Sequence, residues 1–424
     1  MNAAVNAAEP GPESGQLPRN YLFALTDGGG TVPPELGVVR RLRARGHAVR
    51  VLAEPSMAEQ VLGTGAAFLP WSWRPAEPFH DWDLRTPTSL ARGIATQMMT
   101  DPAPSQAQDT LAAIEASRPD LVLTSSFAVG AMIAAEARGV PFDVLFPNAY
   151  PLPAPGMPPF GAGLTPARGS LGRIRDRVAT AMSGTLFDHY ALAPINRVRA
   201  ANGLGPIVHT WDQMHHARRQ LVLTSAAFDF PAALPPNARY VGAVLDDPSW
   251  AADEAWTPPE GGAPLVLVAL SSTFQNHVGC LQRITDALGS LPVRGLVTTG
   301  PAIRPEAIHA PTNVTVVASA PHGAAMRGAS LVVTHGGHGT VVKALAAGLP
   351  LVILHHGRDQ ADNAVRVTSR GAGIAVPRSA SAERIAGAVL TVLANEDYRF
   401  AARKLGRAVA RDAAGGALLA ELEA

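Results

Sequence analysis

The stretch SLVVTHGGHGTVVKAL (residues 330–345) joins an apolar run to a helical pattern through a turn with three glycines and two histidines. The first backbone N–H groups of a helix have no internal partners, and with the helix dipole they attract an anion. Glycines let the backbone come close to such a ligand. The candidate binding residues of the turn are His335, Gly336, Gly337, Gly339 and Thr340. The pattern predicts a diphosphate site that needs no metal, although such turns also occur solely to pack a helix on a sheet.

Strands and helices alternate on both sides of this stretch. Apolar runs at 21–25, 48–53, 121–125 and 142–146 are separated by helical patterns, and the alternation restarts at 265–270. This order predicts an α/β fold of two Rossmann-like domains, each with a doubly wound parallel sheet. Because ligands of such sheets bind at the carboxyl ends of the strands, we expect the two domains to face each other across a cleft.

Composition shifts divide the chain into five parts. The stretch 245–264 is polar and rich in proline and glycine, as linkers are. The predicted parts are a flexible tail (1–20), an N-terminal domain (21–244), the linker (245–264), a C-terminal domain (265–398) and a helical segment (399–424).

Composition also limits the class of partner. The chain has 424 residues, 47% hydrophobic and 16% charged, and a net charge of +1. Such a balance favours a globular protein with a small-molecule partner over a nucleic-acid-binding one. Cys280 is the only cysteine, so no disulfide forms within the chain. With no signal peptide and no apolar run of membrane-spanning length, a cytoplasmic protein without membrane contact is expected; its oligomeric state stays open.

A second polar cluster follows the next apolar run. The strand that begins after Pro350 leads into HHGRDQADN (355–363), at the same edge of the sheet as the glycine turn. Asp359 and Gln360 offer a carboxylate and an amide, which suit the vicinal hydroxyls of a sugar. The alternative is that Asp359 caps the next helix while Gln360 is solvated.

A proline-rich loop (147–169) interrupts the N-terminal alternation and is longer than usual connections. Tyr150, Met157 and Phe160 give it apolar side chains, and Met98 and Met99 add to the apolar character of this half. We expect the loop to bind an apolar acceptor, the alternative being a flap that covers a sheet edge.

The two clusters HGGHGT and AAGLPLVILHHGRDQADNA together resemble the donor-binding signature of nucleotide-sugar-dependent glycosyltransferases of the GT-B fold, the group that includes plant and bacterial natural-product enzymes. The resemblance implies an inverting, metal-independent transfer from a UDP- or dTDP-linked sugar to a small acceptor. It places His335, Gly337, Gly339, Thr340 and Ser272 at the diphosphate and Asp359 and Gln360 at the sugar. It places Ala320, His322 and Thr299 on the side of the nucleobase. It also implies that residues 399–424 pack back across the cleft.

Two positions depart from the family pattern. The family commonly has a glutamate for the ribose hydroxyls where this chain has Lys343, so either the ribose is held differently or Lys343 reaches a phosphate. The family's catalytic histidine in GHxxP corresponds to Thr31, and Ser125 lies near the usual acidic partner, on the acceptor side. The candidate bases are therefore Asp27, His80 and, as a positioning group, Thr31.

Other readings of the sequence predict different activities. DWD (81–83) resembles the metal-binding motif of another glycosyltransferase fold but does not follow a nucleotide-binding strand, and no zinc-type cluster occurs. The missing histidine leaves open a catalytically silent nucleotide-sugar-binding partner of an active enzyme. A sugar-nucleotide epimerase of the same architecture is a further alternative.

Overall fold

The computed structural model describes residues 17–75, 77, 79–84, 86–248, 251 and 259–424. Most of the predicted tail (1–16) and part of the predicted linker (249–250 and 252–258) lie outside these residues. The described residues form two parallel sheets flanked by helices. The predicted fold of two doubly wound α/β domains is confirmed.

The N-terminal sheet has seven strands in the order β3-β2-β1-β4-β5-β6-β7, and every pair is parallel. β4 and β5 are buried along their whole length, as expected for strands covered by helices on both faces. The strands are β1 (Asn20–Ala24), β2 (Ala48–Ala53), β3 (Ala67–Pro70), β4 (Leu121–Ser125), β5 (Phe142–Phe146), β6 (Arg219–Val222) and β7 (Ala238–Tyr240).

The C-terminal sheet has six parallel strands in the order β10-β9-β8-β11-β12-β13. The strands are β8 (Leu265–Ala269), β9 (Arg294–Thr298), β10 (Val314–Val317), β11 (Leu331–Thr334), β12 (Leu351–Ile353) and β13 (Gly373–Ala375).

Helices fill the connections of both sheets. In the N-terminal half they are α1 (Val32–Ala44), α2 (Ala58–Leu62), α3 (Pro87–Gly93), α4 (Ala103–Ser117), α5 (Val129–Ala137), α6 (Gly169–Phe187), α7 (Ala193–Ala201) and α8 (Asp212–His215). In the C-terminal half they are α9 (Val278–Gly289), α10 (His322–Gly328), α11 (His338–Ala346), α12 (Gln360–Thr368), α13 (Ala382–Ala394), α14 (Glu396–Ala414) and α15 (Ala417–Glu423). None of the helices in the described residues is long and apolar enough to cross a bilayer.

The strand order determines where ligands can bind. Connections run in opposite directions from β1 and β4 in the first sheet, and from β8 and β11 in the second. Loops at such switch points leave a crevice at the carboxyl ends of the strands. The loop after β1 leads to α1, and the glycine turn after β11 leads to α11. Both candidate loops of the sequence therefore lie at switch points.

The C-terminal segment crosses from the second sheet to the first. It begins as α14 at Glu396, three residues before the predicted start of the segment. Leu418 and Leu422 of α15 pack in the same core cluster as Tyr21 and Phe23 of β1. The Tyr21 hydroxyl donates to the Leu422 carbonyl at 3.0 Å. The last helix is thus part of the N-terminal core.

Candidate active site

The glycine turn after β11 is shaped by close contacts. Gly336 has φ of +93°, and a Cβ there would lie 2.9 Å from the Ile353 side chain. A Cβ on Gly337 would lie 2.6 Å from Nε2 of His335, so the imidazole covers this residue at the start of α11. No atom lies within 4 Å of the Cβ position of Gly339 among the described residues. The first turn of α11 therefore offers free N–H groups beside an open space.

The imidazole of His335 is neutral in this structure, so one of its ring nitrogens carries a hydrogen that it can donate. It is 8% exposed, and burial lowers its pKa to about 3. Its ring centroid lies 6.5 Å from that of His356, which lies 6.2 Å from that of His277. Burial also lowers the pKa of His277 and of His356 to about 4. A bound diphosphate would raise these pKa values because negative charge favours the imidazolium form.

The second histidine of the turn has a different role. His338 Nε2 lies 2.9 Å from the Thr224 hydroxyl, and its ring packs against Phe228 at 5.7 Å. Thr224 and Phe228 follow β6 of the N-terminal sheet. His338 therefore connects the glycine turn to the other domain rather than to a ligand.

Asp359 and Gln360 lie beside the turn. Neither fits the alternative in which Asp359 caps the helix and Gln360 is solvated. Asp359 makes no capping hydrogen bond; its carboxylate accepts from Asn363 Nδ2 at 2.8 Å, and burial raises its pKa. Gln360 is 1% exposed and accepts from the backbone N–H of His356 at 2.7 Å. Its amide nitrogen donates to Gln275 at 3.0 Å. The expected solvated glutamine is wrong, because Gln360 holds the loop before α12 in place.

The residues expected near the nucleobase line two adjacent strand ends. Ala320 is buried, and His322 begins α10 with its Nε2 3.3 Å from the Thr298 hydroxyl. Burial lowers the pKa of His322 to about 4. A Cβ on Gly300 would lie 3.4 Å from Cα of Ser272, so the loops after β8 and β9 are packed together. Thr299 turns its hydroxyl to the backbone, 3.3 Å from the Gly300 carbonyl.

Lys343 does not point at the turn's open space. Its ammonium donates to Asp247 Oδ1 at 2.8 Å, and the other oxygen of Asp247 accepts from Gly323 N at 3.0 Å. Burial opposes ionisation of Asp247, yet the charge of Lys343 holds the pKa of that carboxyl below its ordinary value. Of the two alternatives for Lys343, the phosphate contact is therefore not seen, and its ammonium instead forms an ion pair with the predicted linker.

The loop after β1 holds two of the candidate bases. Asp27 accepts from Gly29 N at 3.1 Å and from the Ser56 hydroxyl at 2.7 Å, so its carboxylate serves the turn itself. Its own N–H donates to Glu54, whose pKa burial raises to about 7. Thr31 precedes α1 as its N-cap residue, without a side-chain capping bond. No sequence motif marks Glu54, because only its position directly after β2 brings it to Asp27.

This loop touches the donor-side loop after β8. Gly29 has φ of +67°, and a Cβ there would lie 2.3 Å from the Thr273 methyl group. The two domains are therefore in contact at the glycine-rich turn, where a side chain on Gly29 would displace the Thr273 side chain and require a strained backbone.

His80 lies in a segment that bridges the domains. It stacks on Trp82 with ring centroids 4.5 Å apart, and Trp82 meets Phe274 edge-on at 5.3 Å. Asp81 accepts two hydrogen bonds from Arg358, at 2.6 and 3.0 Å. Since Arg358 immediately precedes Asp359, the DWD stretch is an interdomain contact beside the candidate sugar site. The side chain of His80 is 48% exposed, with Nδ1 3.8 Å from Asp83.

Three of the four predicted acceptor residues are not available on a surface. Tyr150 is fully buried, and its hydroxyl donates to Gln220 at 2.8 Å. Met157 is 8% exposed and lies in the core of the N-terminal domain. Ser125 is buried and donates to Glu35 at 2.7 Å. The prediction that these three side chains bind an acceptor is therefore corrected. They are buried and engaged in hydrogen bonds or core packing within the protein.

Phe160 is the predicted acceptor residue that stays accessible, at 41% exposed. Its loop is tied to the donor domain by two hydrogen bonds to Asp362, from Gly161 N at 2.6 Å and Gly163 N at 2.7 Å. The loop then leads into α6, whose large apolar side chains point outward. These are Leu171, Ile174, Val178 and Met182, each more than half exposed. Their spacing of three and four residues was visible in the sequence as one helix face.

Comparisons with known proteins identify similar glycosyltransferases of natural-product biosynthesis. A family model described as the erythromycin biosynthesis protein CIII-like, C-terminal domain, matches residues 282–423. The chain is 29% identical over 408 residues to 4'-demethylrebeccamycin synthase of Lentzea aerocolonigenes, covering 92% of this chain and 96% of that protein.

Two solved structures share the fold. The glycotransferase of kitacinnamycin superposes with a TM-score of 0.75 at 22% identity, covering 96% of this chain and 99% of that one. The spinosyn rhamnosyltransferase SpnG, complexed with thymidine diphosphate, gives a TM-score of 0.72 at 21% identity, covering 95% of this chain and all of that one. SpnG is also known in complex with spinosyn aglycone. At these identities the likeness establishes a common fold.

Proposed function

We propose that the chain transfers a sugar from a nucleotide-diphosphate sugar to a small, largely apolar acceptor, and its similarity to natural-product glycosyltransferases and to the GT-B fold supports this. The donor is linked to UDP or dTDP, and the transfer inverts the anomeric carbon. The observation that carries the proposal is the start of α11, where His335 covers Gly337 beside the open space at Gly339. The binding of thymidine diphosphate by SpnG supports it.

The leaving diphosphate is stabilised at the start of α11. The acceptor oxygen bonds to the anomeric carbon, the bond from that carbon to the diphosphate oxygen breaks, and its electron pair leaves with the diphosphate. The free N–H groups of α11 and the imidazole of His335 receive the growing negative charge, as preorganised donors do in other enzymes. This arrangement performs the step without a metal ion. Asp359 holds the sugar hydroxyls from the adjacent loop.

His80 is the base that the geometry favours. The Asp27 carboxylate is held within its own loop by Gly29 N and by the Ser56 hydroxyl, and the alcohol of Thr31 is a poor base. The half-exposed imidazole of His80 has Nδ1 turned toward Asp83, which leaves Nε2 for the acceptor hydroxyl. Histidine suits proton transfer near neutral pH.

The acceptor is apolar in this proposal. Phe160 is accessible in a loop that Asp362 ties to the donor domain. The outward apolar face of α6 continues from that loop, and Arg175 of α6 donates to the Thr165 carbonyl of the loop at 3.1 Å. A surface of this kind favours a hydrophobic partner for the sugar donor.

An activity screen tests the proposal. Purified protein is incubated with UDP- and dTDP-linked sugars and a panel of apolar acceptors, and products are detected by mass spectrometry with the anomeric configuration read by NMR. We expect transfer with inversion, and a loss of about 100-fold or more in kcat for His335→Ala, since one such donor is worth that much. The matched control is His309→Ala, an exposed histidine of the same domain.

Other outcomes of the screen contradict the proposal. Nucleotide binding by calorimetry without any product indicates a silent partner, and donor turnover without an acceptor indicates an epimerase. Full activity in His335→Ala refutes the assigned diphosphate contact. For the base, we expect His80→Ala to lower kcat strongly while Asp27→Asn keeps it; the reverse pattern assigns the base to Asp27.

A further inference from the structure

The ion pair between Lys343 and Asp247 lies between two parts of the candidate nucleotide site. Lys343 follows Thr340 by three residues on α11, so both lie on nearly the same helix face. Its partner Asp247 lies in the segment that joins the sheets and accepts from Gly323 N in the first turn of α10. His322, on the proposed nucleobase side, is the preceding residue. The carboxylate of Asp247 is thus placed between the base side and the phosphate side.

The chemistry of a nucleotide requires an acceptor in that place. The pentose of a nucleoside diphosphate connects the base to the phosphates and carries hydroxyl groups that donate hydrogen bonds. The ammonium of Lys343 has donors only, whereas each carboxylate oxygen accepts more than one hydrogen bond. Oδ1 of Asp247 is bound by Lys343 and Oδ2 by Gly323 N, so each keeps acceptor capacity. The Asp247 side chain is 18% exposed and thus reachable.

Resting on the proposed function, we infer that Asp247 accepts a hydrogen bond from the nucleotide's pentose and that Lys343 is the positioning residue that holds this carboxylate in place. A lysine on α11 and an acid on the linker together supply what a single helix carboxylate would supply. The ion pair keeps Asp247 charged despite its burial, as the lowered pKa of the carboxyl indicates.

The neighbouring residue gives a matched control. Asp246 has the same side chain and lies in the same segment, but it pairs with Arg41 at 2.8 Å and Arg40 at 3.3 Å on α1 of the N-terminal domain. Asp246→Asn therefore removes a linker carboxylate of similar exposure without touching the proposed pentose contact. Any effect common to Asp246→Asn and Asp247→Asn is an effect of the linker as a whole.

Calorimetric titration of the full chain with three probes tests the inference. The probes are thymidine diphosphate, its 3'-deoxy analogue and inorganic pyrophosphate, which lacks the pentose. We expect Asp247→Asn to lower the affinity for thymidine diphosphate at least about 10-fold, since a hydrogen bond to a charged group is worth about 1.5–3 kcal/mol. Pyrophosphate affinity stays within twofold of wild type, and Asp246→Asn matches wild type for every probe.

The 3'-deoxy analogue isolates the hydroxyl contact. Wild type should bind it at least about 10-fold more weakly than thymidine diphosphate, and Asp247→Asn should bind both alike. Lys343→Met should lower the affinity for thymidine diphosphate. Lys343→Arg, which keeps the positive charge, should retain most of the wild-type affinity. Equal losses for nucleotide and pyrophosphate in Asp247→Asn, or wild-type affinity in that variant, overturn the inference alone. A wild-type chain that binds no nucleotide overturns the proposed function and the inference together.

Discussion

The buried ion pair between Arg366 and Asp229 is expected to control the stability of the interdomain contact. Arg366 on α12 is 2% exposed and its partner is fully buried. Nε and a terminal nitrogen of Arg366 donate to one carboxylate oxygen, at 2.9 and 2.7 Å. The guanidinium also stacks on Phe230, 4.6 Å from the ring centroid. Removing one partner of a buried pair leaves an uncompensated charge and costs about 3–5 kcal/mol.

The structure places Arg366→Met at the lower end of that range. Asp229 keeps donors in the Tyr150 N–H and the Tyr240 hydroxyl, both at 2.9 Å. We therefore expect a loss of about 3 kcal/mol, or on the order of 10 °C in the first thermal transition. Differential scanning calorimetry measures this shift, with urea titration as a second readout.

Arg370→Met is the matched control for this change. Arg370 stacks on the same Phe230 ring at 5.3 Å but donates to the Asp229 carbonyl instead of its carboxylate. We expect a smaller shift than for Arg366→Met, because the loss of Arg370 leaves no buried carboxylate without its counter-charge. If Arg366→Met and Arg370→Met unfolded at the same temperature, the view that the buried charge pair joins the domains would be refuted.

Two further predictions concern a buried acid and a close helix crossing. Burial raises the pKa of Glu35 to about 8, so between pH 4.5 and 8 the folded chain holds a proton that the unfolded chain releases. The contribution of this group to stability thus falls as pH rises, by up to ~1.4 kcal/mol per pH unit. The urea unfolding midpoint of Glu35→Gln should therefore change less with pH across pH 5–8 than that of wild type. The same dependence on pH in both proteins would contradict this. A Cβ on Gly406 of α14 would lie 1.8 Å from the Leu345 carbonyl oxygen, so Gly406→Ala should cost about 1–3 kcal/mol in thermal unfolding. The control Gly387→Ala, in open space on α13, should be neutral or stabilising.

The sequence predicts the sheets and the glycine turn because their signals are local. Apolar runs of strand length, separated by helical patterns, indicate a parallel sheet whatever the packing partners are. The turn at Gly336 requires a positive φ and leaves no room for a Cβ, and only glycine satisfies both conditions without strain. Local chemistry therefore predicted the start of α11 as the candidate anion site, and the structure leaves that place open.

The features that the sequence does not reveal are contacts between residues far apart in the chain. Tyr150 lies in a proline-rich loop like an exposed residue, yet its partner Gln220 is 70 positions away and the pair is buried. Lys343 is paired with Asp247, 96 positions earlier. Periodicity cannot reveal such pairs, because nothing in the neighbourhood of either residue depends on the other.

One long-range feature did leave a local signal, in the helix that carries the candidate sugar site. Residues at intervals of four along RDQADNAVRVTSR (358–370) contact the N-terminal domain: Arg358 binds Asp81, Asp362 binds the 147–169 loop, and Arg366 binds Asp229. The adjacent face carries Asn363, whose amide donates to the Gly336 carbonyl of the glycine turn at 2.9 Å. Asp362 and Arg366 share a face of α12 because they are four residues apart, and Arg358 lies just before the helix, so the N-terminal domain contacts this segment at three points. The position of Asp359 therefore depends on contacts with both domains.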